Sequence, residues 1–300
     1  MARMFNRQLP VVLAFFVLGL FANVQNVISL ESKNFLWKVR SKTNTIYLLG
    51  SVHLFKKEMY PLNRKIEEAF DQSDLLAVEA NLNALHQLDL QKLIEKAIYL
   101  DDGDALEKHV SKGTHDLIKK KAEELGIPLE LINRQKPWFL GLMFTSAGFL
   151  RLGFDPNYGI DHYFLSKAAG KKTIVELESL DYQIDLLSNF NDHDQELFLL
   201  MALRDLDTLG QDIDPFLRSW ASGDAKSLEK MATRSITEDG RLSSIYETLI
   251  YDRNRKMVSK IEDFLKTKET YFVIVGAGHL VGGKGIVEIL KAKGYMVEQL

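Results

Sequence analysis

The chain has 300 residues, of which 46% are hydrophobic and 26% are charged, and its formal net charge is -3. This composition is typical of a globular protein that is long enough to bury a substantial core. The small net charge and the lack of a basic patch argue against a nucleic-acid partner. The chain contains no cysteine, which excludes disulfides, thiolate metal sites and a cysteine nucleophile.

The first 29 residues differ in composition from the rest. They contain Arg3 and Arg7 but no acidic residue, followed by an apolar run at 11–22 and small residues near Ser29. This is the layout of a secretory signal peptide, and the run is too short to span a bilayer comfortably as a permanent helix. The sequence therefore predicts a signal peptide at 1–29 and an extracytoplasmic protein, periplasmic or secreted. A retained anchor, with membrane contact through this segment alone, is the alternative.

Residues 30–300 are predicted to form a single α/β domain with a mixed central sheet, surrounding helices and a large helical insertion. A hairpin is predicted first, from FLWKVRS to TIYLLGS, and further strands at 75–78, 173–177 and 271–275. Residues 84–126 have a helical pattern, and 137–150 are apolar enough for a buried helix or a lid over a pocket. Residues 191–266 are predicted to be helices interrupted at Gly210, Pro215, Gly223 and Gly240.

Two of the predicted strands end in the same GxxH pattern. Gly50 is followed three residues later by His53, and Gly276 by His279. Ligands in open α/β sheets bind at the carboxyl ends of the strands, so both imidazoles are predicted to lie at one edge of the sheet. Either GxxH alone is a weak signal, because a single histidine is more often a packed, hydrogen-bonded side chain.

Two acidic residues also follow predicted strands. Glu79 comes after the strand at 75–78, and Glu178 after the strand at 173–177. Two imidazoles with one or two carboxylates are a common ligand set for a divalent metal such as zinc or manganese, with an open position for water. The competing interpretation is that each glutamate simply caps the helix that follows it.

Arg253 lies on the apolar face of a predicted helix between positions 242 and 264. At about 100° per residue it falls within the stripe that includes Leu249 and Met257. A buried guanidinium needs a carboxylate or a ligand, because an unpaired buried charge is costly. The alternatives are that Arg253 extends to solvent or forms a purely structural ion pair. Asn254 is at the edge of the same face.

With these residues in view, the chain resembles the TraB/GumN family, which includes the Tiki-type membrane proteases. More distant relatives of that family are the erythromycin esterase-like and ChaN-like haem-binding proteins. The resemblance covers nearly the whole predicted mature chain. It rests on YLLGSVHL, LLAVEA, KPW, GIDHYFLSKAAGKK, ELES, DRN and VGAGHLVGGKGIVEILKAKGY.

The resemblance implies a metal-dependent hydrolytic site, in which the metal would be zinc, manganese or cobalt and the substrate a peptide or protein. The metal-ligand positions are His53, Glu79 and His279. The further catalytic positions are Glu178, Arg253 and Asn254.

In the mechanism predicted from these residues, the metal activates a water, Glu178 acts as general base and Arg253 stabilises the oxyanion. The sequence does not decide which glutamate is the ligand and which is the base. A metal-independent reaction would need the same residues.

The leading hypothesis is therefore an exported metal-dependent hydrolase, acting on peptide bonds. The alternative is a protein that binds haem, a metal or a peptide without turnover. Dinucleotide binding at GAGHLVG is disfavoured, because the spacing is GxGxxxG and no acidic residue can follow about 20 positions later.

Overall fold

The fold is taken from a computed structural model, which describes residues 33–81 and 98–300. The predicted signal peptide at 1–29 and the part of the predicted helix at 84–97 lie outside the described residues.

Six strands form one mixed sheet in the order β4-β3-β5-β2-β1-β6. The first four strands in this order are parallel to one another, whereas β1 is antiparallel to both β2 and β6. The strands are β1 (Leu36–Arg40), β2 (Thr45–Ser51), β3 (Leu75–Val78), β4 (Thr173–Glu176), β5 (Tyr271–Gly276) and β6 (Met296–Gln299). The predicted mixed α/β fold is confirmed, as is the hairpin that joins β1 to β2.

Helices surround the sheet and form a separate helical layer. The α-helices are α1 (Arg64–Asp71), α2 (Lys112–Leu125), α3 (Pro137–Arg151), α4 (Ile160–Ala168), α5 (Leu180–Ser188), α6 (Asp192–Ala221), α7 (Ala225–Ala232), α8 (Arg234–Glu238), α9 (Ser243–Tyr246), α10 (Asp252–Phe264), α11 (Ala277–Leu280) and α12 (Ile286–Ala292). A π-helical segment, Glu247–Tyr251, joins α9 to α10 without a break. Short 3-10 turns occupy Lys57–Met59, Leu106–Lys108, Leu129–Leu131, Pro156–Tyr158 and Gly240–Leu242.

The central strands β2, β3 and β5 carry almost entirely buried side chains, as expected for parallel strands covered on both faces. Their apolar residues form the main core together with buried side chains of α1, α4, α10 and α12. A second core lies among α3, α5, α6 and the π segment. Two of these helices contact the carboxyl ends of the parallel strands, where ligands are expected: Gln183 of α5 donates to Glu79 and Glu178, and Trp220 of α6 donates to the carbonyl of Gly50.

The predicted breaks at Gly210 and Pro215 are wrong, because α6 continues through both residues. Glycine and proline each weaken an isolated helix, by about 1 and 3 kcal/mol. Tertiary packing compensates here: Ile213, Phe216 and Trp220 are buried on either side of the proline. The helix ends just before Gly223, where a break was predicted. This glycine has a φ of 69° and is therefore in the left-handed conformation that is common after a helix end.

The helical prediction for 98–126 is correct only for α2. The stretch from Tyr99 to Val110 is irregular apart from one 3-10 turn, and Leu106 anchors it in a small core formed with α2 and α3. The predicted buried helix at 137–150 is confirmed as α3, which packs along α6. Within the described ranges, no helix combines the length and the apolar character needed to cross a bilayer.

Asp205, on α6, is a buried acid whose titration should be measurable. Its Oδ1 accepts a hydrogen bond from Ser235 at 3.4 Å, and its Oδ2 has no hydrogen-bond partner among the residues described. Burial raises the pKa of the Asp205 carboxyl to about 6. Because this folded pKa lies above the ordinary 3.8, the stability that the carboxyl contributes is fully present below pH 3.8 and is lost as the pH rises through about 6.

Asp205→Asn is therefore expected to gain stability relative to the wild type by about 2 kcal/mol between pH 4 and pH 8. Urea unfolding of both proteins at the two pH values measures the gain. A difference between the two proteins that does not change with pH would contradict the raised pKa.

Candidate functional site

The four ionisable residues predicted at strand ends meet at one edge of the sheet. Strands β4, β3, β5 and β2 are consecutive and parallel, so His53, Glu79, Glu178 and His279 all follow carboxyl ends on the same side. The predicted convergence is confirmed. Glu79, Glu178 and His279 are buried, whereas the His53 side chain keeps 21% of its surface exposed.

Gly276, at the end of β5, lies at the centre of this group. A Cβ placed on Gly276 would lie 3.4 Å from Oε1 of Glu79, 3.5 Å from Cδ2 of His279 and 3.9 Å from Nε2 of His53. The two imidazoles are thus well within the roughly 10 Å beyond which they could not share one metal. Because Gly276 has no side chain, the space between Glu79, His279 and His53 stays open.

The orientation of His279 is fixed by Asn254 on α10. Asn254 Nδ2 donates to the carbonyl of Lys284 at 2.8 Å, which turns Oδ1 towards the ring. His279 Nδ1 must therefore donate to Asn254 Oδ1, 2.6 Å away, and the proton of the neutral ring is on Nδ1. Burial, reinforced by the charge of Arg253, lowers the pKa of His279 to about 3, so the ring is neutral.

As a consequence, Nε2 of His279 carries a lone pair that accepts no hydrogen bond from the residues described. This atom is buried. Oε1 of Glu79, which is also an acceptor, lies 3.8 Å from it. Two buried acceptors that face each other call for a cation or a proton donor between them, because an unpaired buried polar atom costs about 1–3 kcal/mol.

His53 is held in a corresponding way by Asp161, which the sequence reasoning missed. Nδ1 of His53 lies 2.7 Å from Oδ2 of Asp161, the second residue of α4. A side chain on Gly159 would collide with the backbone carbonyl of His53, and Ile160 N donates to Val52 O at 3.0 Å. The glycine of the GIDH motif thus lets α4 begin against the first GxxH loop, and that motif was the available sequence signal.

Asp161 controls the charge of His53. Burial lowers the pKa of His53, but the carboxylates of Asp161 and Glu79 outweigh it and raise the pKa to about 9. Because the folded pKa lies above the ordinary 6.5, the stability that this pairing contributes is fully present below pH 6.5 and is lost as the pH rises through about 9.

Asp161→Asn is expected to lower the pKa of His53 by about 2 units or more, since it removes the main opposing charge while keeping an acceptor at Nδ1. The measurement is an NMR pH titration of the His53 ring protons in protein treated with a chelator. A His53 pKa that stays near 9 in the variant would show that Asp161 does not hold this proton.

Arg253 is fully buried and joins the two glutamates. Its Nε donates to both oxygens of Glu178 at 3.0 Å, and its Nη2 donates to Glu178 Oε2 at 2.7 Å and to Glu79 Oε2. Its Nη1 donates to the carbonyl of Leu249 at 3.1 Å. Gln183 Nε2 bridges the same two carboxylates from the other side, at 3.2 Å and 3.0 Å. The predicted core position of Arg253 is confirmed.

This network gives the two glutamates different positions. Oε1 of Glu79 accepts from Gly276 N at 2.6 Å and lies on the wall of a cavity, together with His53 and His279. Among the described residues that line this cavity, neither Glu178 nor Arg253 is present. Glu178 and Arg253 thus lie behind Glu79 and not on the cavity wall, and the base and oxyanion roles predicted for them stay predictions.

The cavity has a volume of about 420 Å³ and opens beside the two histidines. Its polar end is formed by His53, Glu79 and His279 and by glycines of the loop after β5. Its other walls are mainly apolar and come from α7, α8 and the π segment. A concave, mostly apolar site with a few converging polar groups is typical of a small-molecule or peptide site.

Two imidazole nitrogens and a carboxylate oxygen are a ligand set that zinc uses in hydrolases. Each ring also has its Nδ1 hydrogen-bonded to an outer acceptor, Asp161 or Asn254, as metal-binding histidines commonly do. In the two ranges that the structure describes, however, no three histidine or acidic side chains are already grouped closely enough to hold a metal ion. The residues fit a metal by donor type and by the unpaired Nε2.

The fold and the site define a mixed α/β protein with a paired-histidine and glutamate centre at the carboxyl edge of its sheet. A sequence model of the TraB/PrgY/gumN family matches residues 35–299. The chain belongs to this family, as the resemblance predicted.

Three relatives share modest sequence identity with this chain. Protein YbaP of Escherichia coli is 24% identical over 246 residues, covering 82% of this chain and 87% of the relative. A protein of Treponema pallidum is 23% identical over 277 residues, covering 88% and 82%. A metalloprotease TIKI homolog of Amphimedon queenslandica is 25% identical over 318 residues, covering 89% of this chain but 61% of the relative. No solved structure matches the chain.

Proposed function

We propose that the protein is an exported metal-dependent hydrolase that cleaves peptide bonds. The observation that carries the proposal is the buried, unpartnered Nε2 of His279, 3.8 Å from Oε1 of Glu79. A folded protein does not gain stability from two acceptors that face each other, so we attribute the arrangement to a ligand that bridges them. The similarity to a relative named as a metalloprotease supports metal dependence.

Each residue of the site has a role in this proposal. His53, His279 and Glu79 would hold a divalent metal, for which His53 would release the Nε2 proton that its raised pKa implies. When bound, the metal lowers the pKa of a water to make a nucleophile at neutral pH. Asp161 and Asn254 keep both rings oriented with Nε2 towards the cavity. The geometry thus favours Glu79 as the glutamate that contacts metal or water.

Arg253 and Glu178 act on the residues that would hold the metal and do not line the cavity themselves. The Arg253 guanidinium helps to keep Glu79 ionised. Burial by itself raises the pKa of the carboxyl, but Arg253, together with the two histidines and the N–H of Gly276, lowers it to about 2. Glu178 balances the remaining charge of Arg253 at 2.7 Å. A carboxylate that is ionised and fixed in place binds a cation without first losing a proton.

The test is cleavage of a mixture of quenched fluorescent peptides by protein treated with a chelator and then supplied with zinc, manganese or cobalt. We expect cleavage that one of these metals stimulates and that a chelator stops. Haem is titrated in parallel. A Soret band that is lost in both His53→Ala and His279→Ala, with no cleavage under any condition, would replace the hydrolase by the haem-binding alternative.

Export is proposed from the charged start and the apolar run before Ser29. Mass spectrometry of the protein from its native host is expected to find a mature amino terminus near residue 30. An intact Met1 in a cytoplasmic fraction would contradict export and would leave the hydrolase proposal unaffected.

A further inference from the structure

One part of the cavity wall, apart from the histidines and Glu79, is apolar, and the space that it encloses is called the chamber here. Six side chains form its wall, from α6, α7, α8, α9 and the π segment: Met201, Ala232, Ile236, Tyr246, Leu249 and Ile250. Ala232, Ile236 and Ile250 are only half-buried, so they leave apolar surface open inside the cavity. Covering this surface with an apolar group would remove it from water, which is energetically favourable.

The rim of the chamber is polar. Lys284 Nζ pairs with Glu247 Oε2 at 2.8 Å, and a Cβ on Gly282 would lie 3.4 Å from Oε1 of Glu229. Lys284, Glu247 and Glu229 all line the same cavity as the histidines. An apolar interior with a polar mouth suits a side chain that enters the chamber while its peptide backbone stays at the rim.

The chamber is physically continuous with the reacting centre. The π segment forms part of its wall, and the carbonyl of Leu249 in that segment accepts from Nη1 of Arg253 at 3.1 Å. Arg253 in turn contacts Glu79, which lines the polar end of the cavity. Single-turn π-helical segments are frequent at functional sites, and this one places the chamber wall and the buried arginine on one helix.

We propose that this chamber binds a bulky apolar side chain of the peptide substrate, such as leucine or phenylalanine, next to the bond that lies at the histidines. The inference rests on the proposed peptidase function for its substrate class. It extends that function by naming the residues that select the substrate. The whole cavity, of which the chamber is one part, has a volume of about 420 Å³, which is within the range of roughly 300–1,000 Å³ seen for small-ligand sites.

The test uses capped, fluorescently labelled pentapeptides with glycine at four positions and phenylalanine, leucine, serine or aspartate at the centre. Affinity is measured by fluorescence anisotropy with chelator-treated wild-type protein and with His279→Gln, neither of which should cleave the probe. We expect phenylalanine and leucine to bind at least about tenfold more tightly than serine in both, because apolar pockets discriminate by about that factor or more.

Ala232→Trp fills the chamber and should abolish this preference. Ala221→Trp adds the same side chain at an exposed position on α6 and should keep it. Ile236→Ser removes apolar surface without adding bulk, so it covers the case in which Ala232→Trp does not fold, which circular dichroism would reveal.

Four outcomes decide the matter. Equal affinity for all four peptides, or a preference that survives both wall variants, overturns the inference. No measurable binding of any peptide also overturns it. An apolar preference that depends on the wall, in a protein that cleaves nothing, supports the chamber and contradicts the hydrolase.

Discussion

Arg253→Met is expected to destabilise the protein by about 3–5 kcal/mol at pH 7, the cost of removing one partner from a buried ion pair. Methionine retains the apolar stem but leaves Glu79 and Glu178 buried without their common cation. Arg253 itself is 0% exposed, so solvent cannot replace it.

The pH dependence of this effect has a definite sign. Burial raises the pKa of Glu79, but Arg253, as the largest of several opposing contributions, brings it down to about 2 in the folded protein. The resulting stabilisation is present above the unfolded value of 4.5 and is lost as the pH falls through about 2. Without Arg253 the buried carboxyls bind protons more readily, so the stability gap between variant and wild type should be smaller at pH 4 than at pH 7.

Urea unfolding of both proteins at pH 7 and pH 4 measures the gap. Arg255→Met is the matched control, because Arg255 is two residues away on the same helix but half-exposed, and its partners Glu247 and Asp252 are at the surface. The control should show a much smaller change at either pH. If Arg255→Met were as destabilising as Arg253→Met, the buried network would not be the cause.

His279→Gln is expected to reduce metal-stimulated peptide cleavage by at least about 10²-fold, the lower end of what one polar group at a reacting centre supplies. The variant removes the buried Nε2 that faces Glu79. It should also lose the rise in melting temperature that a bound metal gives to the folded state. The two readouts separate a loss of metal binding from a loss of chemistry alone.

Asn254→Ala tests the second part of the same arrangement. In the wild type, Nδ1 of His279 donates to Asn254 Oδ1 at 2.6 Å. The substitution removes this acceptor and leaves the His279 ring free to rotate, so we expect metal affinity or activity to fall by about 10–100-fold. His193→Gln, at an exposed histidine on α6, is the control and should leave both readouts unchanged.

Full cleavage and a full metal-induced thermal shift in His279→Gln would remove His279 from the site.

Much of the site could be predicted from the sequence because its signals are local. Runs of β-branched and aromatic residues that end in glycine identified β2 and β5, and the histidines follow at fixed spacing. The helical period alone placed Arg253 on a buried face, since an arginine among apolar positions at about 100° per residue has few other places to go.

Local patterns failed where distant contacts decide the conformation. Gly210 and Pro215 are sound helix-breaking signals, yet α6 continues because packing on both sides outweighs their intrinsic cost. The same reason explains the irregular stretch at 99–111, where the anchoring of Leu106 in a tertiary core replaces the helix that its local pattern predicted.

The sequence by itself determined which ionisable side chains stand at strand ends, because strand, glycine and histidine are neighbours along the chain. Only the tertiary structure decided what each of them contacts. Asp161 is 108 positions from His53, and no local pattern encodes a contact over that separation. The order of the parallel strands brought both histidines beside Glu79 and placed Glu178 behind Arg253, because strand pairing and helix packing are set by burial of the whole chain.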